Sequence, residues 1–351
     1  MIKRVNAIDG LKGISCCIVA FCWHYQHFSG YTEPPLNIIL FPFYKWGGVA
    51  VELFFLLSGY VMSLNYDVRI YCGESKFNSY IVKRYKKLWP ISIITLIIVL
   101  VGLILYRFQT GELFVVEHFD LYHFLLNVFL LQAGWFENSY SFNSPAWFVS
   151  TILLMYCTYY GVCKLEKKIY KGKEIITGFA FIPVFVGLGA IIGKFEMPFL
   201  HYMFAARGFC CFFMGVLIQR LIKNKMAWKV VAIITGGAVI DTVLFAIRKP
   251  LNMVQMTCIL VVFPLVVLLT VKITWIQQVL SMRPLQWIGS YSMEVFMWHF
   301  PVQLFISLLK NYIGIRPYEH VYFFITYVVL TFGVAVLYKK FEKIYLGGTQ
   351  V

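Results

Sequence analysis

The chain has 351 residues, of which 60% are hydrophobic and only 13% charged. So few charges cannot cover a soluble domain of this length, which leaves an integral membrane protein. The formal charge of +15 does not point to nucleic acid, because the cations lie in separate loops between apolar runs and form no single stripe.

A helix crosses the hydrocarbon core in about 20 residues. Runs of that order fall near 10–28, 46–65, 89–106, 145–163, 175–193, 200–220, 230–247, 251–271, 287–309 and 320–338. They predict an all-α integral membrane protein, a bundle of about ten transmembrane helices. The piece "LYHFLLNVFLLQ", 121–132, is too short to span and is expected to be a re-entrant or interfacial helix. With the N-terminus inside, 23 of the 31 Lys and Arg fall on the inner side, so both termini are expected in the cytoplasm. No fixed-period repeat, low-complexity tract or long linker divides the chain, and 1–351 is expected to form a single polytopic domain. The first run carries Asp9 and Lys12 and lacks an A-x-A-like site, so it reads as a retained helix, not a cleaved leader. Eight of the nine cysteines lie in or beside apolar runs, where packing is the expected role.

Ionisable residues inside spans are costly, and they mark either a site or a buried pair. Six stand out: Lys12, His24, Glu52, Arg207, Glu294 and His299. The predicted topology puts His24, Glu52 and Arg207 toward the outer side, His299 near mid-membrane and Lys12 near the inner side. A polar cavity opening outward, with a basic mouth below it, would account for them. Each also has a plain reading. His24, between Trp23 and Tyr25, could anchor at the interface; Lys12 could snorkel to the inner headgroups; Glu52 and Arg207 could be a structural ion pair; His299 could be a satisfied core histidine.

Six blocks, in order, resemble the membrane acyltransferase-3 family: "IDGLKGISCCIVAFCWHY", "GGVAVELFFLLSGYVMS", "KRYKKLWP", "NSPAWFVSTILLMY", "RGFCCFFMGVLI" and "WIGSYSMEVFMWHFPV". Members move acyl groups, often acetyl, onto glycans and other cell-envelope acceptors. The resemblance implies that His24 is the catalytic histidine of the first helix and that Lys12 stands where arginine is commoner. It places Glu52 and Ser58 on the acidic and S-G positions of the second helix. Arg84 and Lys87 fall on the basic R-x-x-[RK]-x-x-P start of the third, and His299 on the histidine before an apolar residue and proline in the ninth. The block around Trp147 carries no carboxylate and is given no acid–base work; Trp147, Ser58 and Arg207 are expected to contact substrate.

One departure concerns spacing. The family places ten residues between the basic residue and the histidine, whereas eleven separate Lys12 from His24. At ~100° per residue, ten intervening residues keep two side chains within about 20° of one face, and eleven set them about 120° apart. His27 returns to about 60° and so rivals His24 as the catalyst. A single-turn π-bulge in the Cys16–Cys22 region would restore the facing of His24.

The expected chemistry is acyl transfer to a hydroxyl. A histidine of ordinary pKa near 6.5 can take the proton and return it. Glu52 is the expected orienting carboxylate if geometry allows, and Ser58, His299 or Arg207 the expected oxyanion donor. The donor is expected to be cytoplasmic acetyl-CoA or another acyl-CoA, used as co-substrate, with no permanently bound cofactor. Lys12, Arg84 and Lys87 would hold its phosphates. Lys12 and His24 are twelve residues apart, a rise of ~18 Å, of the order of a pantetheine arm, so the acceptor could arrive from outside. That acceptor is expected to be an extracytoplasmic polysaccharide or glycolipid, and the membrane a bacterial plasma membrane. No metal is expected at His24 and His27, which lack further ligands at the usual spacing. A homo-oligomer is left open. The rival class is a multi-span transporter or flippase for a lipid-linked sugar or small solute, against which the chain shows no inverted repeat of broken spans.

Overall fold

Lipid offers no partner to backbone N–H and C=O groups, so apolar runs of this length must bond internally as helices. The computed structural model describes residues 5–29, 34–137, 139–170, 177–192, 202–246, 253–313 and 320–345. Among them nine helices are long and apolar enough to cross a membrane, and there is no strand beyond two isolated bridges. The helices are α1 (Asn6–Ser29), α2 (Asn37–Trp46), which runs through a 3-10 turn into α3 (Ala50–Cys72), and α4 (Phe77–Thr110). The short α5 (Leu121–Phe129) follows, then α6 (Trp147–Tyr170), α7 (Phe181–Ile191), α8 (Tyr202–Lys223) and α9 (Ala227–Ala246). The chain continues as α10 (Val254–Lys272), two short helices α11 (Thr274–Leu280) and α12 (Arg283–Ser290), then α13 (Ser292–Ile313) and α14 (Val321–Tyr345).

The tenth expected span, 175–193, corresponds to α7, which has 11 residues; residues 175–176 and 193 of that run lie outside the described residues. The 121–132 piece forms only the nine residues of α5, too short to span. Its start is set by Asp120, whose side chain accepts the His123 N–H as an N-cap, and its end by Leu130 in the left-handed region at φ 58°. The third span begins earlier than its hydropathy suggests. At 34 residues α4 is ~51 Å long, so the basic stretch "KRYKKLWP" is helical and protrudes beyond the ~30 Å core.

The core is centred on α3 and α8, which glycine lets approach to backbone contact. A Cβ on Gly59 would sit 1.8 Å from the Phe212 carbonyl oxygen, and one on Gly215 would sit 1.9 Å from that of Leu56. Without a hydrophobic drive between helices in lipid, this close van der Waals fit supplies the association. At the C-terminal ends of α3, α6 and α8 a buried ion network adds to it. Arg220 donates through Nε to Asp67 Oδ2 at 2.9 Å and through Nη1 to Glu166 Oε1 at 2.8 Å, while Tyr159 and Ser63 donate to Asp67 at 2.5 and 2.7 Å. Phe179 N–H also donates to Glu166, which ties the segment before α7 to the same network. Glu294, without a partner in the sequence reading, pairs with Lys339 at 3.0 Å.

Candidate active site

The site grows from an irregularity in α1. Residues Ile18–Trp23 are π-helical, and the His24 N–H reaches back five residues to the Val19 carbonyl. The Ala20 carbonyl, which that N–H would take in an α-helix, accepts the Tyr327 hydroxyl at 2.9 Å. One extra residue is thus absorbed in one turn, and α14 satisfies the displaced group. Below the bulge the helix is regular; above it, His24 is rotated back toward the face expected of a ten-residue spacing.

That rotation sets His24 against α13. His24 Nδ1 lies 2.7 Å from His299 Nε2, with the ring planes within 3° of parallel. His299 Nδ1 lies 2.6 Å from the Phe296 carbonyl oxygen, and that oxygen can only accept. His299 therefore carries its proton on Nδ1 when neutral, its Nε2 accepts from His24 Nδ1–H, and His24 Nε2 is left as the basic nitrogen. Gln303 Nε2 donates to the His24 and Tyr25 carbonyls, and Phe28 stacks on the His24 ring at 4.5 Å, so the ring is held on both sides.

His24 lines a cavity of about 260 Å³, close to the lower end of small-molecule sites at roughly 300–1,000 Å³. His299 is fully buried behind it and does not reach the cavity. Arg207, Gln255, Tyr140 and Trp147 also line it. Glu52, also fully buried, accepts from Arg207 Nε at 2.6 Å and from Gln255 Nε2 at 2.5 Å. The Arg207 guanidinium lies over the Trp147 ring at 4.6 Å. The bond to Glu52 uses Nε, so the two Nη groups are not committed to it. Burial pushes the Tyr140 phenol up from its ordinary range, so at neutral pH it stays a hydroxyl that can donate. The mouth is aromatic and basic, with Trp23, Trp46 and Lys45, and His27 stacks on Trp23 at 5.2 Å.

The expected site residues therefore divide. His24, Arg207 and Trp147 meet on the cavity, and His299 supports His24. Glu52 is not the orienting group of His24: it is committed to Arg207 and Gln255, and His299 takes the position on Nδ1. Ser58 is half-buried and does not line the cavity. Lys12, Arg84 and Lys87 do not line it either. Arg84 sits eleven residues, ~16 Å, along α4 from Thr95, which accepts from the buried Asn143 beside the cavity. Its guanidinium is caged by the rings of Tyr66 and Tyr80 at 4.0 and 4.1 Å, while Lys87 is exposed one turn on.

Sequence reasoning missed Gln255, Tyr140 and Lys45, none of which lies inside a recognisable block. It also missed Val115, which lines the cavity at φ 56°, a strained conformation for a β-branched residue. Its neighbour two residues on, Glu117, donates its N–H to the Tyr140 carbonyl, so the 112–146 segment holds both wall residues together.

With the geometry in place, the comparisons with known proteins are informative. The acyltransferase domain of the acyltransferase-3 family matches residues 5–340. The chain belongs to that family. Acyltransferase MdmB of Streptomyces mycarofaciens is 23% identical over 171 residues, which is 48% of this chain. The matched segment covers only 41% of that protein's length. No solved structure matches the chain.

Proposed function

We propose that this member of the family is a membrane O-acyltransferase. In this reading it moves acetyl from cytoplasmic acetyl-CoA to a hydroxyl of an extracytoplasmic polysaccharide or glycolipid, in a bacterial plasma membrane with both termini in the cytoplasm. The observation that carries the reading is the His24–His299 pair at a cavity that both His24 and Arg207 line.

The acceptor O–H adds to the thioester carbonyl carbon while its proton passes to His24 Nε2. The imidazolium that forms is stabilised through Nδ1–H by His299, whose Nε2 lone pair faces it. Negative charge develops on the carbonyl oxygen, and Arg207 or the Tyr140 hydroxyl, both lining the cavity, is assigned to donate to it. The tetrahedral species then expels the thiolate, which takes the proton back from His24. Trp23, Trp46 and Trp147 offer flat apolar faces to a sugar ring. Lys12, Arg84 and Lys87 are assigned to the phosphates of the donor at the inner mouth.

The test is transfer of radiolabelled acetyl from acetyl-CoA to a cell-envelope glycan extract by the purified protein in lipid discs. Labelled glycan supports the reading. Exchange of solutes across vesicles with no labelled product would overturn it in favour of transport. Intersecting initial-rate lines go with direct transfer in a ternary complex, and parallel lines with an acyl-histidine handed across in two steps.

A further inference from the structure

Charge around the cavity is unevenly compensated. Lys45, Arg207, His24 and His27 line it, and among the described residues no carboxylate does. Arg207 is balanced by its ion pair with the buried Glu52. No carboxylate of the described residues pairs with Lys45. Its Nζ lies 5.4 Å from the ring centre of Phe41 and 5.2 Å from that of Trp46, an attraction that holds the cation in place without neutralising it.

Lys45 is exposed, so its charge is available at the rim of the cavity. Its position is also fixed relative to the base. Gly48, just past the end of α2, lies so close to the Trp23 ring that a Cβ there would sit 2.8 Å from it, and Trp23 immediately precedes His24. The end of α2 that carries Lys45 is therefore seated on the turn that carries the imidazole. A cleft lined by one sign of charge within low-dielectric walls concentrates ligands of the opposite sign. An ammonium, a compact point charge with three donors, suits a carboxylate or phosphate oxygen without demanding a planar partner. Two plainer roles ask nothing of a ligand: a cation in the last turn of α2 offsets the helix dipole, and a lysine among aromatic rings anchors at a membrane interface.

We propose that Lys45 is a specificity-determining residue for the acceptor. It binds an anionic group, a carboxylate or a phosphate borne by the sugar, while a hydroxyl of the same molecule meets His24. The inference rests on the acyl-transfer reading and names the substrate class within it: acidic glycans in preference to neutral ones. The acyl donor is not the anion meant, because its phosphates are assigned to Lys12, Arg84 and Lys87, none of which lines the cavity. With Lys45 and His24 held on the same support, the anion sets which hydroxyl reaches the base.

The test divides a cell-envelope glycan extract by anion exchange into neutral and anionic pools. Each is offered, with radiolabelled acetyl-CoA, to the purified full chain in phosphatidylcholine discs. Label is expected in the anionic pool. KM for that pool should rise about tenfold in Lys45→Gln and recover in Lys45→Arg, with KM for acetyl-CoA unchanged in both. Added salt should raise the wild-type KM for the anionic pool and leave that of Lys45→Gln nearly flat. Label confined to the neutral pool, or equal KM in wild type and Lys45→Gln, would overturn the proposal and leave the acyl-transfer reading in place. A lower melting temperature in Lys45→Gln with unchanged acceptor kinetics would also overturn it, making Lys45 a helix-end cation only. So would a Lys45 effect seen only when phosphatidylglycerol is added to the discs, which would make it a headgroup contact. No label in either pool removes the acyl-transfer reading itself, and this inference with it.

Discussion

Arg207 and Glu52 show why a residue's role cannot be read from its charge alone. A fully buried carboxylate has to be paired, and the cation that reaches it is Arg207, which also faces the cavity. Removing one partner of a buried pair strands the other, at a cost of about 3–5 kcal/mol. Arg207→Ala should therefore lower thermal stability by that amount as well as activity, whereas Glu52→Gln, which keeps hydrogen-bonding capacity, should cost less. Scanning the two variants by thermal unfolding checks this; equal, negligible losses would mean the pair is not structural. Both residues were legible as ionisable groups in apolar runs, and the ion pair between them was one of the readings open from sequence. What could not be read was that pairing with Arg207 takes Glu52 away from His24. A neutral ring, His299, holds the imidazole instead, and its suitability depends on the Phe296 carbonyl that fixes its proton. No residue pattern announces such a tautomer chain.

At the scale of elements, the π segment of α1 is the feature on which the site turns. It was legible as an arithmetic mismatch, eleven residues where ten were expected, because helical phase is set by residue count. Its partner was not, since Tyr327 lies some 300 residues away in α14 and meets Ala20 only after folding. If the bulge merely absorbs an extra residue, deleting one residue of Ile18–Trp23 together with Tyr327→Phe should keep His24 on its face and preserve most activity. Inserting one residue there should turn His24 by ~100° and abolish it. Survival of the insertion and loss in the deletion would contradict this account. The α3–α8 contact carries a stability prediction of the same kind. Gly59→Leu has to force helix backbones apart and should cost at least about 1–3 kcal/mol, read as a lower melting temperature or failure to accumulate in the membrane. The short α5 was legible from length, and its Asp120 cap from residue type. The hydrogen bonds from His123 hold the Asp120 carboxyl below its ordinary range. The stability this contributes is complete above the ordinary carboxylate range and is lost only as pH falls through the lowered folded value.

For the whole molecule, the apolar runs carried most of the fold, because lipid enforces internal hydrogen bonding along the entire chain. In the expected run 175–193 stands the short α7, with residues 175–176 and 193 outside the described residues. The runs could not reveal which polar groups share a cavity, since helix packing brings α1, α3, α6, α8, α10 and α13 together from distant parts of the sequence. Sidedness is open to a direct check through Cys72, the exposed thiol at the inner end of α3 in the predicted topology. A membrane-impermeant maleimide should label it in inverted vesicles and not in intact cells; the reverse would turn the protein over. The central claim is that His24, oriented by His299, is the base of an acyl transfer. Its most direct test is thiol release from acetyl-CoA by His24→Ala and His27→Ala beside wild type, with a cell-envelope glycan extract as acceptor. The account predicts a loss of at least about 100-fold for His24→Ala in folded protein and near wild-type rates for His27→Ala. Full activity in His24→Ala, or loss confined to His27→Ala, would contradict it.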